Sequence, residues 1–211
     1  MSTNPDTPVA CNTKHQVLAD HYKETFELLK AVTVKRDRFY LYILIVVFLL
    51  LLYMSAPIAI SDWLNTFITE QSGGSGTYTY TGLIDSSFVG AILLLGLLVL
   101  SHTYFQTVLH VERQYDYIYL LEEQLSGEYN GKAFIREGEH YRKNKRKFSN
   151  WTVFIFWVLS PLFFLTIIIV WLIFLFGKSG ASCTYLVVDS MISLSMLTSL
   201  VFYVLALIKQ K

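Results

Sequence analysis

Charged residues are scarce in this chain of 211 residues: Asp, Glu, Lys and Arg make up 16%, against 54% for hydrophobic residues. An ordinary soluble domain carries about 25% charged residues. The deficit is concentrated in four long blocks whose only charged residue is Asp189. Each block is long enough to cross the roughly 30 Å hydrocarbon core of a bilayer. The sequence therefore predicts four membrane spans and excludes an ordinary soluble domain.

We predict an all-α fold, a four-span transmembrane helical bundle with cytoplasmic helical extensions of spans 1 and 2. The predicted segments are a cytoplasmic tail with an amphipathic helix (1–38), span 1 (39–60), an outer loop (61–85), span 2 (86–105), a cytoplasmic helix with a basic loop (106–150), span 3 (151–176), an outer loop (177–183), span 4 (184–208) and a cytoplasmic tail (209–211).

Lys and Arg are absent from residues 61–85, and this absence orients the chain. Of the 17 basic residues, all but Lys178 lie before span 1, between spans 2 and 3, or after span 4. Because cytoplasmic loops are enriched in Lys and Arg, we expect both termini and the middle segment to be cytoplasmic. Cys11 then lies inside and Cys183 outside, so the two cysteines cannot pair within one chain. No secretory signal is expected, since the first 38 residues are polar.

Apolar residues recur at helical spacing on the cytoplasmic side of spans 1 and 2. Before span 1 the stripe predicts a single helix from Thr13, where Thr13 and Gln16 form a capping box, to Pro57. After span 2 a second stripe continues from Tyr104 to Leu125. The two extensions either pack on each other as a stalk or lie separately along the membrane surface.

Breaks are expected at few other places. Pro161 is predicted to kink span 3. The stretch "TEQSGGSGTYTYTG" (69–82) predicts a flexible outer loop or a short hairpin.

Catalytic motifs are also lacking. The sequence has no nucleophile elbow, P-loop or CxxC motif, and its five histidines show no i,i+3 or i,i+4 pairing that would hold a metal. His15 and Asp20 match the spacing of an acyltransferase box, but five helical residues separate them by about 140°. We expect no enzyme, no catalytic residue, no metal site and no cofactor.

Polar residues inside the spans are the first candidates for a functional site. Asp189 lies near the outer end of span 4, Ser193 shares its helical face, and His102 lies near the inner end of span 2. These three residues are candidates for a pore or a polar intramembrane site. Small residues on the faces of spans 2 and 4 predict close helix contacts, within the bundle or in a homo-oligomer.

The stretch "FIREGEHYRKNKRKFSNW" (134–151) contains the second set of candidates. Lys143, Lys145, Arg146 and Lys147 lie next to span 3 and are candidates for binding anionic lipid headgroups. The preceding residues are more apolar than orientation requires. There Phe134, Arg136, Glu137 and Tyr141 are candidates for docking a cytosolic protein. In the alternative interpretation the run only fixes orientation, and direct nucleic-acid binding is not expected beside a negative membrane.

Between Leu120 and Trp151 the order "LLEEQL", "FIREGEHY", "FSNW" resembles bacterial multi-pass membrane proteins. The layout of the chain also resembles membrane components of bacterial anti-phage systems, namely SLATT-type effectors and the membrane subunit of the Kiwa system. This resemblance implies a homo-oligomeric protein of the bacterial inner membrane that acts as a sensor or membrane-permeabilising effector coupled to a cytosolic partner. The alternative is a small ion channel or transporter with Asp189 on its path.

Overall fold

The computed structural model describes residues 8–71, 85–128, 154, 158–177 and 183–209. Within them the chain forms α-helices and no strands. The helices are α1 (Pro8–Ser55), α2 (Pro57–Gln71), α3 (Ser86–Glu128), α4 (Ser160–Gly177) and α5 (Cys183–Lys209). All but α2 contain a stretch long and apolar enough to cross a membrane. The prediction of an all-α, four-span bundle is confirmed, and the chain is a multi-pass integral membrane protein.

Helix α1 is continuous over 48 residues, as the uninterrupted helical pattern predicts. It begins at Pro8, five residues before the predicted start at Thr13. Proline is favoured in the first turn of a helix, where its missing N–H would have no intrahelical acceptor. At the other end Pro57 stops the helix, because it cannot donate to the carbonyl four residues earlier.

Helix α2 was not foreseen, since its residues were assigned to the end of span 1 and an outer loop. Ala56 is the single non-helical residue between α1 and α2. Its N–H is within 3.3 Å of the carbonyl oxygens of Leu52 and Tyr53, and its own carbonyl accepts from Ile60 N–H at 3.1 Å. Ala56 therefore ends α1 and caps α2. Pro57 has no N–H to donate, which ends α1, and the same missing N–H is tolerated in the first turn of α2.

The remaining helices correspond to the predicted spans: α3 begins at Ser86 as predicted, α5 begins one residue early at Cys183, and α4 begins at Ser160 within the predicted span 3. Asp85 caps α3, whose first turn donates from Phe88 N–H to the Asp85 carbonyl oxygen at 3.0 Å. Pro161 lies in the first turn of α4, which directly follows two residues of π-helical backbone, and the kink expected there in span 3 stays a prediction. Residues 72–82 of the predicted loop or hairpin lie outside the described residues, while Thr69–Gln71 belong to α2.

The described residues fall into two compact units. The first, here called the helix pair, contains residues 8–37 of α1 and 106–128 of α3. Its core joins Leu29 to Val111 and Ile118, with four partly buried residues packed around them: Tyr22, Phe26, Val32 and Tyr115. The two amphipathic extensions therefore pack on each other through the apolar stripes seen in the sequence.

The second unit, here called the membrane bundle, contains the described residues of 38–105 and 157–211. Its core is rich in aromatic rings. The Phe105 ring stacks on Tyr203 with centroids 4.4 Å apart and meets Phe164 edge-on at 5.1 Å. A second group joins Tyr53 to Trp171 at 6.2 Å. Large apolar side chains on the outward faces of the spans are exposed, as expected for surfaces in contact with lipid.

Candidate functional site

Asp189 lies on the inward face of α5, in its second turn, and is only 2% exposed. The same face carries Ser193, also 2% exposed, whose hydroxyl donates to the Asp189 backbone carbonyl oxygen at 2.8 Å. Beyond Ser193 the buried residues of α5 are Met196, Leu200, Tyr203 and Leu207. The polar part of this face is thus confined to the first turns of the helix.

Tyr53 brings α1 and α3 to the same region. Its hydroxyl donates to the Ser86 carbonyl oxygen at the start of α3. Asp189 and Asp85 both lie close enough to act electrostatically on that hydroxyl. We call Tyr53, Asp85, Ser86, Asp189 and Ser193 the polar site. The sequence offered no signal for Tyr53, because one tyrosine near the end of an apolar block is common in membrane spans.

The polar site adjoins a tightly packed aromatic contact. A Cβ atom added to Gly90 would lie 2.9 Å from the Trp171 ring and 3.0 Å from the Tyr53 ring, so any larger residue forces a ring to shift. The indole N–H of Trp171 is buried and has no hydrogen-bond partner among the described residues. Buried polar groups without a hydrogen-bond partner are uncommon. The Trp171 indole that carries this N–H lies beside the Tyr53 ring.

His102 belongs to a different surface. Its side chain is exposed on α3, and its Nδ1 atom lies 3.4 Å from the Ser199 hydroxyl of α5. The exposed stripe of α3 consists of Phe88, Ile92, Leu95, Val99, His102, Gln106 and His110. The stripe changes from apolar to polar at His102, as expected where a span leaves the hydrocarbon. The structure therefore groups Asp189 with Ser193 and leaves His102 apart from them.

Two polar contacts in the helix pair were not anticipated from the sequence. The Tyr22 hydroxyl donates to Glu122 Oε1 at 3.0 Å, and Glu122 is buried. Close to this contact, His21 Nε2 and the Tyr117 hydroxyl are 2.7 Å apart; His21 precedes Tyr22, and Tyr117 lies five residues before Glu122. A signal for Glu122 was present, since it follows Ile118 by four residues and Tyr115 by seven on the buried stripe.

The basic-loop candidates cannot be placed, because Phe134, Arg136, Glu137, Tyr141, Lys143, Lys145, Arg146 and Lys147 lie outside the described residues. In the described ranges no group of three or more His, Cys, Asp or Glu side chains could hold a metal ion. No known protein family, curated protein or solved structure matches the chain.

Proposed function

We propose that this chain is an oligomeric, non-enzymatic membrane sensor or membrane-permeabilising effector that couples an event in the bilayer to a cytosolic protein. The observation that supports the proposal best is that α1 and α3 each contribute to both compact units. Each of the two is one continuous helix, and the proposal is that these helices carry the change from the bilayer to the cytosolic partner.

The inward face of α3 is suited to such coupling. Beside the buried residues Phe105, Thr107 and Leu121 of this helix runs a row of buried and partly buried residues: Gly90, Leu94, Leu97, Ser101, Tyr104, Val108, Val111, Tyr115, Ile118 and Glu122. Their spacing alternates between four and three residues throughout, which is the seven-residue repeat of coiled-coil seams. Such seams have discrete packing registers, so a helix can change from one arrangement to another under a modest bias.

Polar contacts at the far end of this seam would select one register. Two contacts, Tyr22–Glu122 and His21–Tyr117, join α1 to α3. A slip of α3 by one residue along α1 would break both contacts. Leaving the buried Glu122 carboxyl without the Tyr22 donor costs about 1–3 kcal/mol, whereas the exposed His21–Tyr117 contact contributes less. A bias of that size is enough to shift a two-state equilibrium roughly tenfold.

The proposed partners follow from the sequence. Lys143, Lys145, Arg146 and Lys147 would attract anionic lipids, each by about 1 kcal/mol, while Phe134, Arg136, Glu137 and Tyr141 would dock a cytosolic protein. We further propose the bacterial inner membrane, with both termini cytoplasmic, as the location and antiviral defence as the setting. The positive-inside bias supports the orientation, and similarity of plan to anti-phage membrane proteins supports the setting.

The test uses two adjacent glutamates of α3. Bacteria producing the chain are challenged with phage while survival and membrane potential are followed. We expect Glu122→Ala to weaken the response, since the Tyr22 hydroxyl loses this acceptor. Glu123→Ala should retain the response, because Glu123 is exposed.

Membrane fractionation checks that both variants insert like the parent. A parent chain without any response, or two variants that respond equally, would contradict the proposal.

A second candidate, a small ion channel or transporter, is favoured by the burial of Asp189 within electrostatic range of Tyr53. A buried carboxyl within a span can bind a proton or a cation. It ranks second because the described inward face of α5 is apolar beyond Ser193. Asp189→Asn should change ion conductance or selectivity in proteoliposomes if the polar site lies on a path. Equal conductance in the parent and the variant would contradict the channel or transporter candidate and favour the sensor or effector proposal.

A further inference from the structure

Helix α2 has an apolar arc that is only partly covered. Residues Ile60, Trp63, Leu64, Phe67 and Ile68 recur at spacings of three and four, so they lie on one side of the helix. Ile60 and Leu64 are half-buried, next to the buried Ser61. This flank of the arc packs within the membrane bundle, and the other flank is exposed.

The uncovered flank consists of an aromatic pair. Trp63 is 64% exposed and Phe67 is 48% exposed, although their rings are stacked with centroids 5.8 Å apart and an interplanar angle of 18°. The stack presents one continuous apolar surface one turn long. Side chains of this type favour an environment that is apolar at one end and wet at the other.

The position of α2 identifies what covers this surface. Only Ala56 separates α2 from α1, whose exposed residues remain apolar through Leu51 and Leu52. Helix α2 therefore begins within about one turn of the place where α1 leaves the hydrocarbon. Tryptophan is enriched at that depth, where its ring lies among the lipid headgroups.

We propose that α2 is an interfacial helix whose Trp63–Phe67 pair is inserted at the boundary between headgroups and acyl chains of the bilayer that α1 spans. The occupant of the exposed aromatic surface is lipid, and this inference does not depend on the proposed function or on which side of the membrane α2 lies.

The charges of α2 indicate the kind of lipid. Asp62 and Glu70 are its only charged residues, and anionic headgroups would repel them. We therefore expect α2 to prefer zwitterionic headgroups such as phosphatidylethanolamine and phosphatidylcholine. This preference is opposite to that expected of the basic loop at 142–147.

The test measures the depth of Trp63 in proteoliposomes made of zwitterionic lipid. Some lipids carry bromine near the carbonyl end of the acyl chain and others near the terminal methyl. The Trp63 contribution is the difference in fluorescence between the parent and Trp63→Phe, which keeps an aromatic ring at this position. We expect bromine near the carbonyl end to cause the larger loss of this difference signal, and aqueous acrylamide to cause little loss.

Two other results would overturn the proposal. Strong quenching by acrylamide with none by brominated lipid would mean that the pair faces water, as for docking a soluble partner. Protection from both quenchers would mean that protein, such as a second copy of the chain, covers the pair.

Adding phosphatidylglycerol should reduce quenching by bromine near the carbonyl end if α2 avoids anionic headgroups, and an increase would contradict the stated lipid preference.

Discussion

A single glycine controls how closely α3 approaches the aromatic rings beside the polar site. At Gly90 a Cβ atom would lie 2.9 Å from Trp171 and 3.0 Å from Tyr53, and both neighbours are rigid rings in a packed core. Rings of this kind cannot fold away as a flexible aliphatic chain can. Small residues in membrane helices allow such close approach, which replaces the hydrophobic effect as a source of stability within lipid.

The expected consequence is that Gly90→Ala destabilises the membrane bundle. Forcing one methyl group into a packed core costs about 1–3 kcal/mol, so the midpoint of thermal unfolding in mild detergent should fall. Gly96→Ala is the matched control on the same helix, because nothing lies within 4 Å of a Cβ atom there. Its midpoint should stay unchanged or rise, since alanine favours helix by about 1 kcal/mol. Equal midpoints for both variants and the parent would show that the contact at Gly90 is not tight.

Asp189 shows what the sequence can and cannot predict about the candidate site. Its importance could be predicted, because it is the only charged residue in four apolar blocks. Its surroundings could not, because contacts between helices depend on rotation about their axes, which helical spacing leaves undetermined. The fold buries it on the inward face of α5, within electrostatic range of Tyr53 from α1.

At the scale of elements, helical periodicity predicted the helices well, whereas the position of proline predicted helix boundaries less well. The adjacent leucines of α1 illustrate the success: Leu29 is on the stripe and 4% exposed, whereas Leu28 is off it and 50% exposed. Helix α2 differs from the prediction for one reason. In the sequence Pro57 indicates the end of a helix, yet it also lies in the first turn of α2, where proline is favoured.

The missed α2 also reflects how membrane spans are recognised. A span is identified by length and mean hydropathy, and α2 has only 15 residues interrupted by Asp62 and Glu70. Its pattern is amphipathic, which hydropathy averaging over a longer window hides. Testing the outer loop for helical periodicity would have detected the recurrence of Ile60, Trp63, Leu64, Phe67 and Ile68.

At the scale of the whole molecule, the distribution of basic residues predicts how the chain crosses the membrane. All 17 Lys and Arg residues except Lys178 lie on the side expected to be cytoplasmic. Cytoplasmic retention of Lys and Arg is the dominant determinant of orientation in short loops. Four spans return the C-terminus to the side of the N-terminus. Three of these spans lie between Cys11 and Cys183, so the two thiols report on opposite compartments.

We expect a membrane-impermeant maleimide to label Cys183 from outside intact cells, because this free cysteine is exposed at the first residue of α5. Cys11 should react only after the membrane is permeabilised. An impermeant reductant is added first, so that a Cys183 disulfide between two chains does not conceal the thiol, and Cys183→Ser provides the control for labelling of Cys11. Since only one cysteine per chain faces the outside, oxidation can link at most two chains, and that dimer must disappear in Cys183→Ser. Labelling of both cysteines from one side would contradict the four-span arrangement, in which three spans separate them. A cross-linked ladder that survives Cys183→Ser would contradict the opposite placement of the two thiols.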